Sequence, residues 1–578
     1  MSGIHLVFEF EDSNGKIDPK QFSDPVFVIE AYRIEEVEAA FTKAEQALRE
    51  GCYVAGSISY EAAPAFDSSY KVSRGAEWPL VWFGVFEAPV TEEPSFSEDA
   101  YYTSNWEMDG DFTAYTEGLN KIKSAIKLGD TYQVNYTTKL RCLFEGNDLA
   151  FYKQVTNNQN SGYSAYLNYG EGRRVVSASP ELFFRKEGKR FKTKPMKGTA
   201  RRGRTFEEDE KQKNALLQSE KEKAENVMIV DLLRNDMGKI AASGSVNVTR
   251  LFEIETYPTV HQMTSTIEAE LEKETSLWEI FSALFPCGSI TGAPKVRTME
   301  YIADIERSPR EIYCGAIGFM TPQGDAVFNV PIRTIMLEGN KAVYGTGGGV
   351  TWDSTSAKEY EEIKAKAQLL FEKRPEFQLL ESMKLENGEW PLLPYHINRI
   401  RKSARYFNFQ FDDKQVYGQL EKWKKQHQEG SYKVRLLVNE NGTVSGGADR
   451  IPHSPTRVTC ALAKEPIDDK DPFLYHKTTH RSVYDVHKQE GVFSVLLWNA
   501  EEELTEFTIA NLVVKKEGEY WTPKVSSGLL AGTLRGKLLE QGKIKERTIY
   551  KNELDTCEEI WMINGVRGWI QVDLTEEA

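Results

Sequence analysis

The residue of this chain with the clearest chemical potential is Lys197, in the segment KTKPMKGTARRG of residues 192–203. Pro195 restricts the backbone two residues before it, and Gly198, directly after it, tolerates conformations that other residues avoid. A lysine between two such residues can be held in one place, and an amine in a partly desolvated pocket can act as a nucleophile. The alternative is a basic surface turn, which the composition of the segment favours when taken alone.

Two pairs of glutamates have the spacing of a helix face. Glu222 and Glu225 lie three residues apart in a segment with helical periodicity, and Glu359 and Glu362 repeat the arrangement, with Lys366 one turn later. Carboxylates on two helices could bind Mg²⁺, which takes one or two carboxylates, keeps several waters and leaves positions for an anionic substrate. The alternative is that such Glu/Lys pairs belong to solvated helix surfaces.

Two glycine-rich segments could form binding loops. They are GSITGAPK, residues 288–295, and GTGGGV, residues 345–350, which ends just before the second glutamate pair. We expect GSITGAPK to form a turn whose backbone N–H groups and hydroxyls point at a carboxylate. GTGGGV is interpreted as a second glycine-rich turn, although it also lies in the strand-like run KAVYGTGGGVTW of residues 341–352. Glycine-rich segments also have purely structural uses.

The chain divides near residues 371–378, FEKRPEFQ. A long segment rich in Lys, Glu and Ala precedes this point, Pro375 disfavours helix for the residue before it, and a strand-like segment follows. We predict a first domain of residues 1–373 and a second of residues 374–578. Both mix helices and strands in an α+β or α/β arrangement, and residues 211–236 are expected to be helical.

Composition narrows the class of protein. The 578 residues are 40% hydrophobic and 28% charged, and the net charge of -15 argues against nucleic-acid binding as the main task. The N-terminal residues lack the pattern of a signal peptide, and no run of about 18 uncharged apolar residues predicts a membrane span. Six scattered cysteines, without CxxC or zinc-site spacing, indicate reduced thiols. We therefore expect a cytoplasmic, multidomain enzyme.

The region of roughly residues 100–370 resembles the chorismate-utilising enzymes, the family of anthranilate synthase, isochorismate synthase and aminodeoxychorismate synthase. The stretches that carry the resemblance, in chain order, are SPELF, PMKGT, AENVMIVDLLRND, PTVHQM, GSITGAPK, VPIRT, GTGGGV and EYEEIKAKA. The resemblance implies a magnesium-dependent enzyme that acts on chorismate, with a fold of two β-sheets flanked by helices.

Within this family the lysine of PMKGT separates two activities. Anthranilate synthases carry a small residue at the position of Lys197, whereas aminodeoxychorismate synthases carry a lysine. The resemblance implies that the amine adds to carbon 2 of chorismate, expels the hydroxyl at carbon 4, and is released when ammonia attacks carbon 4. Glu181, in SPELF, matches the general acid that protonates the leaving hydroxyl. His261 matches a histidine near that hydroxyl, and a packed core histidine is its alternative role.

The other matched positions are implied to bind metal and substrate. Glu225 and Glu362 match the magnesium-binding carboxylates, with Glu222 and Glu359 supporting them through water. The residues implied to bind substrate carboxylates are Thr291, Arg333, Gly348 and Lys366. The chain shows no glycine-flanked nucleophilic cysteine with a downstream His-x-Glu, so ammonia is expected from a separate glutaminase subunit or from solution.

Residues 377–578 resemble the fold-type IV pyridoxal phosphate enzymes, which include branched-chain and D-amino acid aminotransferases and aminodeoxychorismate lyases. The supporting stretches are HINRIRKSARYF, HKTTHRSVYD, LTEFTIANLVV, GLLAGTLR and NGVRGW. The resemblance implies a fold of two subdomains and a cofactor attached to Lys477. It places Glu506 at the pyridine nitrogen and Arg399 and Thr533 at the phosphate, and it suggests a homodimer formed through this half.

Together the two resemblances predict a bifunctional enzyme of 4-aminobenzoate synthesis. The first half would convert chorismate and ammonia to 4-amino-4-deoxychorismate, and the second would eliminate pyruvate to give 4-aminobenzoate, a folate precursor. The nearest alternative is an anthranilate synthase fused to an aminotransferase, against which Lys197 argues. A third hypothesis is a scaffold without catalysis that only binds a glutaminase, against which the complete set of matched residues argues.

Overall fold

A computed structural model describes residues 3–91, 100–272, 275–451 and 455–575. The chain forms two compact units: a first unit of Met1–Arg201 and Lys213–Arg374, and a second unit of Arg202–Gln212 and Pro375–Ala578. Across these described ranges, none of the helices has the length and apolar character that a membrane span requires. Each unit has its own sheets and apolar cores.

The first unit is built mainly of β-strands. Its strands are β1 (His5–Glu11), β2 (Ile17–Ser23), β3 (Phe27–Ala31), β4 (Tyr53–Ile58), β5 (Val81–Phe86), β6 (Tyr101–Thr103), β7 (Glu107–Met108), β8 (Gln133–Gly146), β9 (Tyr163–Gly170), β10 (Arg173–Ser179), β11 (Leu182–Glu187), β12 (Arg190–Lys194), β13 (Met196–Arg201), β14 (Asn247–Thr256), β15 (Val260–Glu270), β16 (Gly292–Ala293), β17 (Ala316–Met320), β18 (Ala326–Asn329), β19 (Thr334–Glu338) and β20 (Lys341–Val350). The helices of this part of the chain are α1 (Ile34–Arg49), α2 (Ala63–Phe66), α3 (Phe112–Leu128), α4 (Asp148–Gln159), α5 (Phe206–Gln218), α6 (Glu220–Met237), α7 (Leu277–Leu284), α8 (Lys295–Ile305) and α9 (Ser356–Ala367).

Two antiparallel sheets form the framework of the first unit. Their main strand orders are β16-β8-β20-β19-β10-β9-β1-β2 and β13-β15-β12-β11-β18-β17-β4-β5-β3. Apolar side chains from both sheets, among them Phe8, Trp82 and Phe319, pack in one buried cluster. Helices α1 and α7 pack on the second sheet, and α4 packs on the first. The prediction of two β-sheets flanked by helices is confirmed.

The glycine-rich segment of residues 345–350 is a strand, which confirms the strand-like run of residues 341–352 and shows that the turn predicted within it is wrong. The segment is the end of β20, which pairs with β8. A Cβ on Gly347 would overlap the carbonyl oxygen of Tyr136 on β8, so the glycine lets the two strands approach closely. In GSITGAPK, Gly288–Ile290 is a short 3₁₀ turn and Gly292–Ala293 pairs with β8.

The helix predicted for residues 211–236 is interrupted at Ser219. α5 ends at Gln218 and α6 begins at Glu220. The Ser219 hydroxyl oxygen accepts a hydrogen bond from the backbone N–H of Glu222 at 3.3 Å, which caps the second helix. The periodicity indicated helix on both sides, and the S-x-x-E spacing was the local signal for the cap.

The second unit contains two sheets. Its strands are β21 (Leu379–Glu386), β22 (Ser431–Val438), β23 (Val444–Arg450), β24 (Arg457–Leu462), β25 (Ser494–Trp498), β26 (Leu504–Phe507), β27 (Ala510–Lys516), β28 (Glu519–Thr522), β29 (Lys545–Glu546), β30 (Glu559–Asn564) and β31 (Gly568–Thr575), and its further helices are α10 (Leu393–Phe407), α11 (Asp413–Gln426), α12 (Ser482–Asp485) and α13 (Thr533–Glu540). β21–β23 form an antiparallel sheet covered on one face by α10 and α11, and β24–β31 form a mixed sheet. The predicted fold of two subdomains is confirmed.

The segment of residues 202–212 is bonded within the second unit. Arg202 pairs with Asp209 at 2.7 Å and donates a hydrogen bond to the Tyr406 carbonyl oxygen at 2.6 Å. Arg204 Nη1 lies 2.8 Å from Asp469 Oδ2. The second unit therefore includes a segment from the first half of the sequence.

Candidate active sites

One cavity of the first unit is lined by most of the residues predicted for the first half. These are Glu181, Lys197, Glu222, Glu225, Arg333, Gly348, Glu359, Glu362 and Lys366. They come from β13, β20, α6, α9 and the connections before β11 and β19. Tertiary folding thus brings the amine, two carboxylate pairs and further cations of the first half to one place.

Lys197 and Gly198 lie in a β-bulge. β13 pairs with β15 on both sides of this dipeptide, but β13 has one extra residue between Met196 and Thr199. A bulge re-aims the side chains around it, and Gly198 has φ = 100°, a conformation that favours glycine. The bulge explains why the lysine is followed by a glycine, and it directs Lys197 into the cavity.

The amine of Lys197 is enclosed by β20 and α6. A Cβ on Gly349 would overlap Lys197 Nζ, so the strand leaves room for the amine only because this residue is glycine. Nζ lies 3.7 Å from Glu225 Oε2, and the lysine side chain is 15% exposed. Lys197 is therefore not part of a solvated surface turn, and its amine faces a carboxylate inside the cavity.

The four glutamates face the cavity as two pairs. Burial and the charge of Glu225 raise the pKa of Glu222, and burial with the charge of Glu362 raises the pKa of Glu359. Lys366 Nζ lies 2.7 Å from Glu362 Oε1 and holds the pKa of that carboxyl below its usual range. In the described part of the chain, no three His, Cys, Asp or Glu side chains are arranged to hold a metal ion by themselves. The pairs suit a cation that keeps water or substrate ligands.

Glu181 is a buried carboxyl in the connection between β10 and β11. Burial raises its pKa to about 7, against the opposing effects of a hydrogen bond from Ser289 and the charge of Lys197. Its Oε1 atom is buried and has no hydrogen-bond partner among the described residues. A carboxyl that is partly protonated near neutral pH can supply a proton to a ligand in this cavity.

Two cations of the cavity could contact an anionic ligand. Arg333 has φ = 54°, and its Nη1 atom is buried without a hydrogen-bond partner in the part of the chain that the structure describes. Lys366 donates a hydrogen bond to the Gly347 carbonyl oxygen at 2.7 Å. A Cβ on Gly348 would lie 3.2 Å from Glu359 Oε2 and 3.8 Å from Lys366 Nζ, so this glycine faces the second carboxylate pair and the amine.

His261 and Thr291 do not line this cavity. The buried His261 lies on β15 with Nδ1 3.1 Å from the hydroxyl of Thr256. The Thr291 hydroxyl donates to the Cys287 carbonyl oxygen at 3.2 Å and so closes the 3₁₀ turn of GSITGAPK. Nδ1 of His261 and the hydroxyl of Thr291 thus bond within the fold.

The sequence interpretation missed Gln133, which lies beside the Lys197 amine. A Cβ on Gly349 would overlap the Gln133 amide nitrogen as well as Lys197 Nζ. Gln133 is fully buried, and neither polar atom of its amide has a partner among the described residues. Its neighbour on the strand, Asn135, lines the cavity. A Gln inside a strand gave no local signal of this role, because only the β8–β20 pairing brings it to the lysine.

A cavity of about 550 Å³ in the second unit is lined by all the residues predicted to hold its cofactor, Arg399, Lys477, Glu506 and Thr533. This volume is within the usual range of small-molecule sites. Burial lowers the pKa of Lys477 to about 8, with help from the charge of Arg399 and against the opposite effect of Glu381. The amine is thus partly neutral near physiological pH, as attachment to an aldehyde requires.

Glu506 is held by three hydrogen bonds. Tyr484 donates to Oε1 at 3.0 Å, the backbone N–H of Leu530 donates to Oε1 at 3.0 Å, and the amide of Asn511 donates to Oε2 at 3.0 Å. Burial raises the Glu506 pKa to about 7. An oriented carboxyl of this kind can keep a pyridine nitrogen protonated.

Arg399 and Thr533 form an anion-binding corner. Both Arg399 Nε and Nη2 donate to the buried carboxylate of Glu381, at 2.8 and 2.7 Å, which fixes the plane of the guanidinium. Thr533 is the first residue of α13, so the backbone N–H groups of a helix start are nearby. A Cβ on Gly565 would lie 2.8 Å from the Thr533 hydroxyl, so this glycine leaves room beside it.

One face of the three-stranded sheet adds positive charge to the second cavity. Lys433 and Arg435 of β22 are exposed and line the cavity, whereas the alternating Val434 and Leu436 are buried against α10 and α11. Ser382 of β21 is paired with Arg435 and lies on the same face. Arg450 and Arg567 also line the cavity. The sequence interpretation missed this face, although the period-two pattern KVRLL was a signal for it.

Comparison with protein families finds two matches. The model of the chorismate binding enzymes matches residues 6–372, and the model of class IV amino-transferases matches residues 378–574. The two matches meet near Pro375, close to the second division between the two units.

Curated relatives are similar to part of the chain. Aminodeoxychorismate synthase component 1 of Escherichia coli (strain K12) is 37% identical over 273 residues, which cover 47% of this chain and 60% of the relative. Anthranilate synthase component 1 of Thermococcus kodakarensis is 38% identical over 305 residues, which cover 51% of this chain and 69% of that protein. The chain thus spans about three fifths of the length of the aminodeoxychorismate synthase relatives.

The fold has a counterpart among solved structures. Anthranilate synthase component I from Streptococcus pneumoniae TIGR4 is 22% identical with a TM-score of 0.53, and the match covers 64% of this chain and 93% of that chain. At this identity the likeness shows a shared fold.

Proposed function

Because the chain belongs to the family of chorismate binding enzymes, we propose that its first unit aminates chorismate at carbon 4 and its second unit releases pyruvate from the product. The product of the first step is 4-amino-4-deoxychorismate, and that of the second is 4-aminobenzoate. The observation that carries the proposal is the enclosed amine of Lys197, directed into the cavity by a bulge. Relatives of both synthase types have similar identity, so the choice between them depends on this residue.

The proposed first reaction uses Lys197 as a covalent nucleophile. Its nitrogen forms a bond to carbon 2, the ring double bonds shift, and the carbon–oxygen bond at carbon 4 breaks. Glu181 gives its proton to the departing hydroxyl, which leaves as water. Ammonia then bonds to carbon 4, the double bonds shift back, and the bond to the lysine breaks. One proton of ammonia restores Glu181, so the sum is chorismate plus ammonia giving aminodeoxychorismate plus water.

The carboxylate pairs fit a magnesium ion that is shared with the substrate. Glu225 and Glu362 would hold the ion, with Glu222 and Glu359 bonded to its waters. The arrangement of the pairs supports this assignment, since burial and the charge of the paired carboxylate raise the pKa of Glu222 and of Glu359, and a cation would oppose both effects. The ion would supply charge for a substrate carboxylate, and Arg333 and Lys366 would contact the carboxylates as well.

The second cavity fits pyridoxal phosphate, the cofactor that the class IV match implies. When bound, this cofactor supplies an electron sink. Lys477 would attach it and then move the proton from carbon 4 of the substrate. Glu506 would bond the pyridine nitrogen, while Arg399 and the start of α13 would bind the phosphate. When the proton leaves carbon 4 and the carbon–oxygen bond at carbon 3 breaks, the ring becomes aromatic, and the released enolpyruvate takes up a proton to give pyruvate.

The basic face of β22 supports a dianionic substrate for the second unit. Aminodeoxychorismate carries one carboxylate on the ring and another on the enolpyruvyl group, and neither is attached to the carbon that bears the amine. Lys433 and Arg435, with Arg450 and Arg567, offer several cations along the cavity. An α-amino acid, with a single carboxylate next to its amine, needs fewer of them.

We propose three further properties. A separate glutaminase subunit would supply ammonia, as the term component 1 in the names of the relatives suggests. The cytoplasm is the expected compartment, in line with the scattered cysteines. The second unit is expected to form a homodimer, by analogy with fold-type IV enzymes.

Substituting Glu181 should remove one limb of the pH profile. We expect Glu181→Gln to lower the rate of chorismate consumption by about 10²–10⁴-fold, the usual contribution of a general acid. In the wild-type chain the rate should fall as pH rises above about 7, because the active form is the protonated carboxyl. The measurement is initial rate against pH at a constant concentration of free ammonia. An unchanged alkaline limb in the Gln variant would assign that limb to another group.

Product identification tests the whole proposal. Purified protein receives chorismate, Mg²⁺, ammonium at alkaline pH and pyridoxal phosphate, and products are separated by chromatography and identified by mass. The expected result is 4-aminobenzoate with an equal amount of pyruvate. Anthranilate as the main product would overturn the role of Lys197. Aminodeoxychorismate that accumulates without pyruvate would leave the first activity in place and overturn the second.

A further inference from the structure

We infer that Asn226 is a positioning residue that fixes the Lys197 nucleophile against helix α6. Asn226 follows Glu225 on α6 and is 1% exposed. Its side-chain Nδ2 donates a hydrogen bond to the carbonyl oxygen of Lys197 at 3.2 Å. The inference rests on the proposed function, since it concerns how the reacting amine is held in place.

The bulge creates the need for this bond. In a regular antiparallel pair, backbone carbonyls bond across the ladder, and an extra residue in one strand leaves groups without their ladder partner. The register of β13 and β15 shifts between Met196 and Thr199, which is where Lys197 lies. A buried carbonyl without a partner is destabilising. Asn226 supplies a partner to the Lys197 carbonyl from outside the sheet.

The amide of Asn226 is itself fixed by Ser265 on β15. The Ser265 hydroxyl donates to Asn226 Oδ1 at 2.6 Å, which determines the orientation in which Nδ2 faces Lys197. The backbone N–H of Ser265 donates to the Pro195 carbonyl oxygen at 3.2 Å. Ser265 is fully buried. Ser265 thus fixes the backbone on both sides of the Lys197 Cα. It bonds the Pro195 carbonyl directly, and it orients the Asn226 amide that bonds the Lys197 carbonyl.

Helix α6 also packs closely against the bulge at Gly198. A Cβ on Gly198 would lie 3.1 Å from Glu222 Oε2 and 3.3 Å from Glu222 Cβ. Helix α6 therefore approaches the peptide of Lys197–Gly198 with no intervening side chain. Because α6 also carries Glu225, its position sets the distance between the nucleophile and the proposed magnesium carboxylates.

The position of Lys197 determines which carbon of chorismate ammonia attacks. When the Lys197 nitrogen is bonded to carbon 2, ammonia can attack only carbon 4. When the lysine is displaced, carbon 2 becomes open to ammonia, and the chain can form the 2-aminated compound with loss of the same hydroxyl. Loss of Asn226 should therefore change the ratio of the two aminated products, a quantity that does not depend on the fraction of folded protein.

The test compares Asn226→Ala with a matched variant in the full-length chain. We expect Asn226→Ala to lower kcat for carbon 4 amination by about 10–100-fold, the scale of a misplacement near 1 Å. The KM for chorismate should change little, and a 2-aminated product should appear. Asn158→Ala is the control, because the buried Asn158 amide also donates to a backbone carbonyl, that of Leu369 at 3.0 Å, but does not line the cavity.

A second variant covers the case in which Asn226→Ala does not fold. Ser265→Ala retains Asn226 but removes the bond that orients its amide, and a smaller shift in the same product ratio is expected. Wild-type kcat and product ratio in folded Asn226→Ala, or in folded Ser265→Ala, would overturn the inference. A wild-type chain that does not aminate carbon 4 would instead overturn the proposed function, so the two failures are distinguishable.

Discussion

Replacement of Lys197 by alanine is expected to abolish amination at carbon 4. The fall in kcat should be on the order of 10³-fold or more, as when other enzymes lose a covalent nucleophile. The alanine leaves carbon 2 accessible to ammonia, so remaining turnover should give the 2-aminated product and, after pyruvate loss, anthranilate. Chromatography with mass detection of the products after incubation with chorismate, Mg²⁺ and ammonium measures both effects.

Two controls separate nucleophilicity from charge and from general damage. Lys197→Arg retains a cation beside Glu225, but a guanidinium remains protonated and is a poor nucleophile. We expect this variant to be as inactive at carbon 4 as the alanine variant. Lys189→Ala changes an exposed lysine in the turn between β11 and β12 and should leave the rate unchanged. Carbon 4 amination at the wild-type rate in Lys197→Arg would show that Lys197 contributes only its charge.

The covalent step also predicts an adduct. If chorismate and Mg²⁺ are added without ammonia and the mixture is quenched with acid, the peptide that contains Lys197 should gain the mass of chorismate less one water. The Lys197→Ala variant should show no such gain. Its absence in the wild-type chain under conditions that support turnover with ammonia would argue for direct attack by ammonia.

Replacement of Lys477 by alanine is expected to stop the second reaction and spare the first. Pyruvate release should fall on the order of 10³-fold or more, because the variant loses both the attachment point and the group that moves the proton. Aminodeoxychorismate should then accumulate at the wild-type rate of chorismate consumption. Lys470→Ala, an exposed lysine seven positions earlier in the sequence, is the matched control. Undiminished pyruvate release in Lys477→Ala would place the reacting amine elsewhere.

The lowered pKa of Lys477 gives this prediction a pH dependence. Attachment of the cofactor requires the neutral amine, whose fraction rises tenfold per pH unit below the pKa and levels off above it. With a pKa of about 8, the rate at which the cofactor absorption appears after mixing should increase up to about pH 8 and then become constant. A rate that still rises at pH 10 would mean that burial and the charge of Arg399 do not lower the pKa of this amine as the structure indicates.

Local patterns in the sequence predicted much of the architecture. The period of apolar residues indicated α6, the spacing of Glu359 and Glu362 indicated α9, and Pro375 gave the expected division of the chain near residues 371–378. Errors arose where one residue type serves two purposes. Glycines usually mark turns, but in residues 345–350 they allow close pairing of β20 with β8. Ser219 looked like an interior residue of one helix and is the cap of the next.

The sequence was sufficient to name several residues of the first candidate site, but it did not predict how they lie relative to one another. Glu181, Lys197, Glu225 and Glu362 could be named because their motifs resemble those of the chorismate-utilising enzymes. Gln133 could not, because it reaches Lys197 only through the pairing of two strands distant in sequence.

The sequence by itself determined which reactive groups this protein has, how they are spaced along helices and strands, and that segments similar to two different families share one chain. Only the tertiary structure decided which groups meet. It placed His261 and Thr291 outside the cavity, buried Glu181 so that its pKa rises to about 7, and set Asn226 against the carbonyl of Lys197. The physical reason is that burial, charge neighbours and hydrogen-bond partners come from segments distant in sequence, whereas backbone preference and helical or strand period are local.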